Sequence, residues 1–94
     1  MKITPTSEDI SSHRTGSIVD LTVEQVTAIL GIAPNTVESW DGKVTVEWRF
    51  KAGNVPCAIW DYKGSLKWRT LSVYMPKSVG KKLFGDNYKS EYGY

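Results

Sequence analysis

The sequence predicts a small α+β domain: a three-stranded antiparallel meander with an N-terminal helix and a short C-terminal helix, in the order α-β-β-β-α. Three observations predict it. An apolar stripe at helical spacing precedes Gly31. Strict two-residue alternation runs over residues 43–51. Short glycine-containing connections follow at Ala52-Gly53-Asn54 and Lys63-Gly64-Ser65, and these suit hairpins. At 94 residues the chain has room for one core and one domain.

Residues 1–17 are expected as a flexible leader, because Ser, Thr and Gly are frequent and apolar residues do not recur with a period. The single domain is then 18–85, and 86–94 is a Tyr-rich tail that is loose or laid across it. The helix is expected over 23–30. Thr22 suits the N-cap, Gln25 completes a capping box, and Leu21 can staple onto Val26. Its stripe is Val23, Val26, Ile29 and Leu30, and Gly31 suits the left-handed residue that ends it.

In the first strand Val44, Val46, Trp48 and Phe50 alternate with Lys43, Thr45, Glu47, Arg49 and Lys51, so one face is dry and the other wet. The second strand is expected over 55–62, with Pro56 near its start, where losing a donor costs least. Pattern leaves open whether Cys57, Ile59 and Asp61 or Ala58, Trp60 and Tyr62 face inward. The third strand, 68–75, places Trp68, Thr70, Ser72 and Tyr74 on one side and Arg69, Leu71, Val73 and Met75 on the other, the second set reading as core apart from Arg69 at its end. Pro76 opens a second helix over 77–84, weakened by Gly80 and closed by Gly85.

The residue inventory argues against catalysis. One histidine, His13, lies in the leader, and one cysteine, Cys57, reads as a small core residue. One of each builds no ordinary zinc site and no disulfide, and the scattered glycines form no phosphate loop. The expectation is no enzyme, no metal and no cofactor. Asp61, flanked by Trp60 and Tyr62, is read as a structural carboxylate bracing the turn over 63–67. No stretch resembles a signal peptide or reaches the ~20 apolar residues of a membrane helix. A reducing cytoplasm is the expected compartment.

Aromatic content is high for this length, with four Trp, five Tyr and two Phe, so each ring must fill the core or an interface. Rings and cations are densest between residues 60 and 74, and Trp60, Tyr62, Lys63, Trp68, Arg69 and Tyr74 are the candidate partner-binding set. Charge is also uneven. Residues 1–39 carry two cations against five carboxylates (−3), and 40–94 carry ten against five (+5). That half could instead meet phosphates through Lys63, Lys67, Arg69, Lys77, Lys81 and Lys82, although a net +2 is modest for such a role.

The run Pro56-Cys-Ala-Ile-Trp-Asp-Tyr-Lys-Gly-Ser65, with Val44-Thr-Val-Glu-Trp-Arg-Phe50 before it and Leu83-Phe-Gly-Asp-Asn-Tyr88 after it, resembles small uncharacterised accessory proteins of tailed bacteriophages. The likeness spans residues 43–88 and transfers no site residue. It implies a host protein as partner, a component of bacterial defence among the candidates, and inhibition as the outcome. Nucleic acid is the rival partner, and an exposed aromatic face could also serve a homodimer. A looser likeness, through Leu21 to Gly31 followed by strands, is to small lipoprotein and β-lactamase-inhibitor-like domains and concerns architecture alone.

Overall fold

The computed structural model describes residues 2–6, 14–34, 46–61 and 69–91. It contains a six-stranded sheet in which every neighbouring pair is antiparallel. In chain order the elements are β1 (Ile3–Pro5), β2 (Gly16–Val19), α1 (Val23–Leu30), β3 (Glu47–Ala52), β4 (Val55–Trp60), β5 (Thr70–Tyr74), α2 (Lys77–Phe84), a 3-10 turn over Gly85–Asn87, and β6 (Tyr88–Ser90). Across the sheet the strands lie in the order β1-β3-β4-β5-β2-β6.

This corrects the expected three-stranded meander. The β3-β4-β5 meander is present, but as the centre of a wider sheet. Of its added strands, β1 and β6 come from the segments expected as leader and tail, and β2 straddles the expected leader–domain boundary. β1 pairs with β3, and β2 inserts between β5 and β6. These short strands carry three or four residues each, too few for alternation to register, yet pairing engages the backbone of β2 on both sides and that of β1 and β6 on one. Expected strand residues 43–45, 62 and 68 lie outside the described residues.

Both helices occupy the expected ranges. In α1 the Thr22 hydroxyl accepts from the Gln25 amide at 3.1 Å, and the Gln25 side chain accepts from the Thr22 amide at 2.8 Å. Gly31 ends the helix at φ 74°, a left-handed conformation that costs glycine nothing. Val26 and Leu30 are buried, while Ile29, expected in the same stripe, is 40% exposed. α2 starts after Pro76 and buries Val79, Gly80 and Phe84, with Lys81 and Lys82 in its last turn, where cations suit the helix dipole.

Register sorts the sheet into two faces. Trp48 opposes Ile59, Ile59 opposes Val73, and Ile18 lies between Leu71 and Tyr88. These residues join Phe50, Ala52, Cys57 and Met75 in one core cluster with Val26, Leu30, Val79 and Phe84 of the helices. Both helices therefore cover the same face. The Trp48 indole donates to the Ile32 carbonyl at 3.3 Å, which ties the chain after α1 onto that side. At burial worth roughly 25 cal/mol per Å², this two-layer core is the main source of stability.

Candidate functional site: the sheet face opposite the helices

The side of the sheet opposite the helices displays, in register, Glu47-Trp60-Ser72-Ser17-Lys89 in one row and Arg49-Ala58-Tyr74 in the next. Lys51, Pro56 and Thr4 make a third row. The choice left open for the second strand is thus decided: Cys57, Ile59 and Asp61 are buried and Trp60 faces outward, half-buried. Because Trp60 opposes Ser72 and Tyr74 opposes Ala58, the two rings are diagonal neighbours on adjacent strands, a spacing aromatic side chains can span.

The small residues beside them, Ala58 and Ser72, are only 3% exposed each, although no helix residue of the core cluster lies on their side. They sit low between larger cross-strand neighbours, Arg49 and Tyr74 around Ala58, and Trp60 beside Ser72. The result is a shallow aromatic platform bordered by cations. Arg49 forms an ion pair with Glu47 on its own strand, so its guanidinium is held in place along the row.

Of the six candidate contact residues, the structure brings Trp60 and Tyr74 together. Arg69 lies elsewhere. It immediately precedes β5, at the end opposite Tyr74, about 17 Å away at ~3.3 Å per residue. Its φ is +55°, that of Asp20 is +62°, and the Asp20 amide donates to the Arg69 carbonyl at 2.8 Å. Arg69 borders a separate hollow of about 320 Å³ with Leu21, Thr22, Val23 and Glu24 at the start of α1. Tyr62, Lys63, Lys67 and Trp68 lie outside the described residues, as does His13. Arg49 and Lys51, outward in the alternation but absent from the candidate set, share the face with the two rings.

The two groups weighed for chemistry are engaged inside the fold. Asp61 is 2% exposed and accepts from the Val46 amide at 2.7 Å, while its own amide donates to the Val46 carbonyl at 3.2 Å. It therefore braces the entry to β3; the turn it was expected to brace lies outside the described residues. Burial pushes the Cys57 thiol up from 9.0 to about 11, against a smaller lowering by a hydrogen bond from the Ala52 backbone. A thiol so held remains protonated at neutral pH and is a poor nucleophile.

Comparison with protein-family models, with curated proteins and with solved structures finds no match for this chain. Among the described residues no helix is long and apolar enough to cross a membrane.

Proposed function

We propose that this chain is a phage-type protein-interaction module that binds and inhibits a host bacterial protein in the bacterial cytoplasm, without catalysis of its own. The observation that carries the reading is an aromatic pair set among cations: Trp60 and Tyr74 are adjacent, partly exposed, on the face opposite the two described helices, with Arg49 and Lys51 in the same rows or the next. Interfaces draw their energy from a few aromatic anchors, and Arg and Trp are enriched among them. The resemblance of residues 43–88 to phage accessory proteins supports a host protein as the guest.

Affinity capture from bacterial lysate, with and without nuclease, tests it. Wild-type protein should retain a nuclease-resistant partner, and Trp60→Ala should weaken that capture at least tenfold while the melting temperature falls by only a few degrees. Loss of all partners on nuclease treatment would overturn the reading. That outcome would favour nucleic acid, for which α2 offers Lys77, Lys81 and Lys82, all exposed on a helix without a carboxylate.

A further inference from the structure

The ladder between β4 and β5 stops early. Its last pair is Ala58 with Tyr74, although β4 extends back to Val55 and stays paired there with β3. Continuing the register sets Pro56 opposite Pro76, and neither proline has an N–H to donate. On its other side the end of β5 is held by Thr15, whose hydroxyl accepts from the Met75 amide at 3.1 Å and lies 3.2 Å from the Met75 carbonyl. Between the two strand ends a groove of about 200 Å³ opens, lined by Thr15, Val55, Pro56, Tyr74, Met75 and Pro76.

Size and chemistry narrow the occupant. The volume is below the roughly 300–1,000 Å³ of typical small-molecule sites and suits one Leu-, Met- or Phe-sized side chain. Among the described residues Val55, at 38% exposure, is with Ile29 one of two large apolar side chains left open to solvent. With the Thr15 hydroxyl engaged by backbone, the lining offers little to the polar edge of a nucleic-acid base. The rim is cationic. Lys51 is the register partner of Pro56, exposed Lys77 follows Pro76, and the Lys2 carbonyl accepts from the Gly53 amide at 2.8 Å, which sets Lys2 beside the β3–β4 turn.

We infer that this groove receives a single apolar anchor residue from an acidic segment of the partner, with carboxylates beside the anchor meeting Lys51 and Lys77. The inference rests on the interaction-module reading and deepens it, because the groove shares Tyr74 with the platform. Apolar burial supplies the affinity, and the flanking charges fix orientation and speed encounter.

The test uses the full chain, labelled with ¹⁵N, and two synthetic nonapeptides: a central Phe flanked by Asp and Glu, and the same Phe flanked by Lys. The acidic peptide should shift the amides of Val55, Cys57, Tyr74, Met75 and Lys77, and bind at least tenfold more tightly than the basic one. Val55→Asp should abolish those shifts. If that variant loses its dispersed spectrum, Lys51→Glu with Lys77→Glu serves instead and should reverse the preference between the peptides. Silence at these amides, equal response to both peptides, or shifts there with a single-stranded oligonucleotide but not the acidic peptide would overturn the inference. The two readings also separate. A nuclease-resistant partner still captured in full by Val55→Asp and lost with Trp60→Ala refutes the groove and keeps the module. An acidic peptide seated in the groove with no partner captured keeps the groove and refutes the module.

Discussion

The ring of Tyr88 is fully buried in a slot that two glycines leave open. A Cβ placed on Gly80 would lie 2.3 Å from the ring, and one on Gly16 would lie 2.5 Å from the Lys89 carbonyl and 3.3 Å from the ring. Gly80, which in sequence only weakens α2, is therefore what lets the helix lie against β6. Gly80→Ala should gain about 1 kcal/mol of helix propensity and still destabilise by about 2 kcal/mol or more, a melting temperature lower by roughly 10 °C. Pairing it with Tyr88→Ala tests the cause: the two costs should be strongly non-additive, and simple additivity would place the strain elsewhere. Cys57 gives a prediction of a different kind. Folding favours its neutral thiol, so the unfolded chain releases that proton first. The stabilisation is complete below pH 9.0 and is lost as the pH climbs toward about 11. Unfolding free energies from urea titrations across that window should fall more steeply for wild type than for Cys57→Ala, by on the order of 2–3 kcal/mol in total. Parallel curves would show that the thiol is not desolvated.

At the scale of elements, what the sequence revealed depended on how many residues each element had in which to show a period. The helices carry eight residues each and have their own start and stop chemistry, Thr22 with Gln25 and Gly31 for one and Pro76 for the other. β3 alternates over six residues, long enough to be read. β1, β2 and β6 have three or four residues, and nothing local marks Ile3–Pro5 or Tyr88–Ser90 as strands. They exist because they complete the pairing of longer neighbours, and that information is non-local. The same holds for Trp60, whose face was fixed only by register with Glu47 and Ser72. Thr15 shows how such a terminal strand is fastened. Its amide donates to the Val73 carbonyl at 2.9 Å, its carbonyl accepts from the Glu91 amide at 2.9 Å, and its hydroxyl serves Met75. Thr15→Val preserves shape but leaves the Met75 amide without that acceptor in a site 2% exposed. The expected cost is about 1–3 kcal/mol, read from thermal melts. Amide exchange should accelerate at residues 15–19 and 88–91 ahead of β3 and β4, and uniform acceleration would count against a local fastening.

For the molecule as a whole, the strand order places the first and last described strands on opposite edges of one sheet, β1 outside β3 and β6 outside β2. Both edges are short, one contains Pro5 and the other exposes Lys89, features that discourage sheet-to-sheet pairing. The same order has a kinetic consequence. β3 and β4 are joined by a two-residue turn and can pair early, whereas β2 must find β5, with Gly16 opposite Val73, across most of the chain. Closing that loop is entropically costly before its contacts reward it, so folding should take milliseconds to seconds. Two variants locate the barrier. Gly53→Ala strains a turn residue at φ +64° by about 1 kcal/mol, and Thr15→Val loosens the late strand. In stopped-flow chevrons the first should slow folding and leave unfolding nearly unchanged, while the second should mainly speed unfolding. If Thr15→Val instead carried the larger loss in folding rate, the terminal strand would already be docked at the barrier, and the sheet would be assembling from its long-range pairings inward.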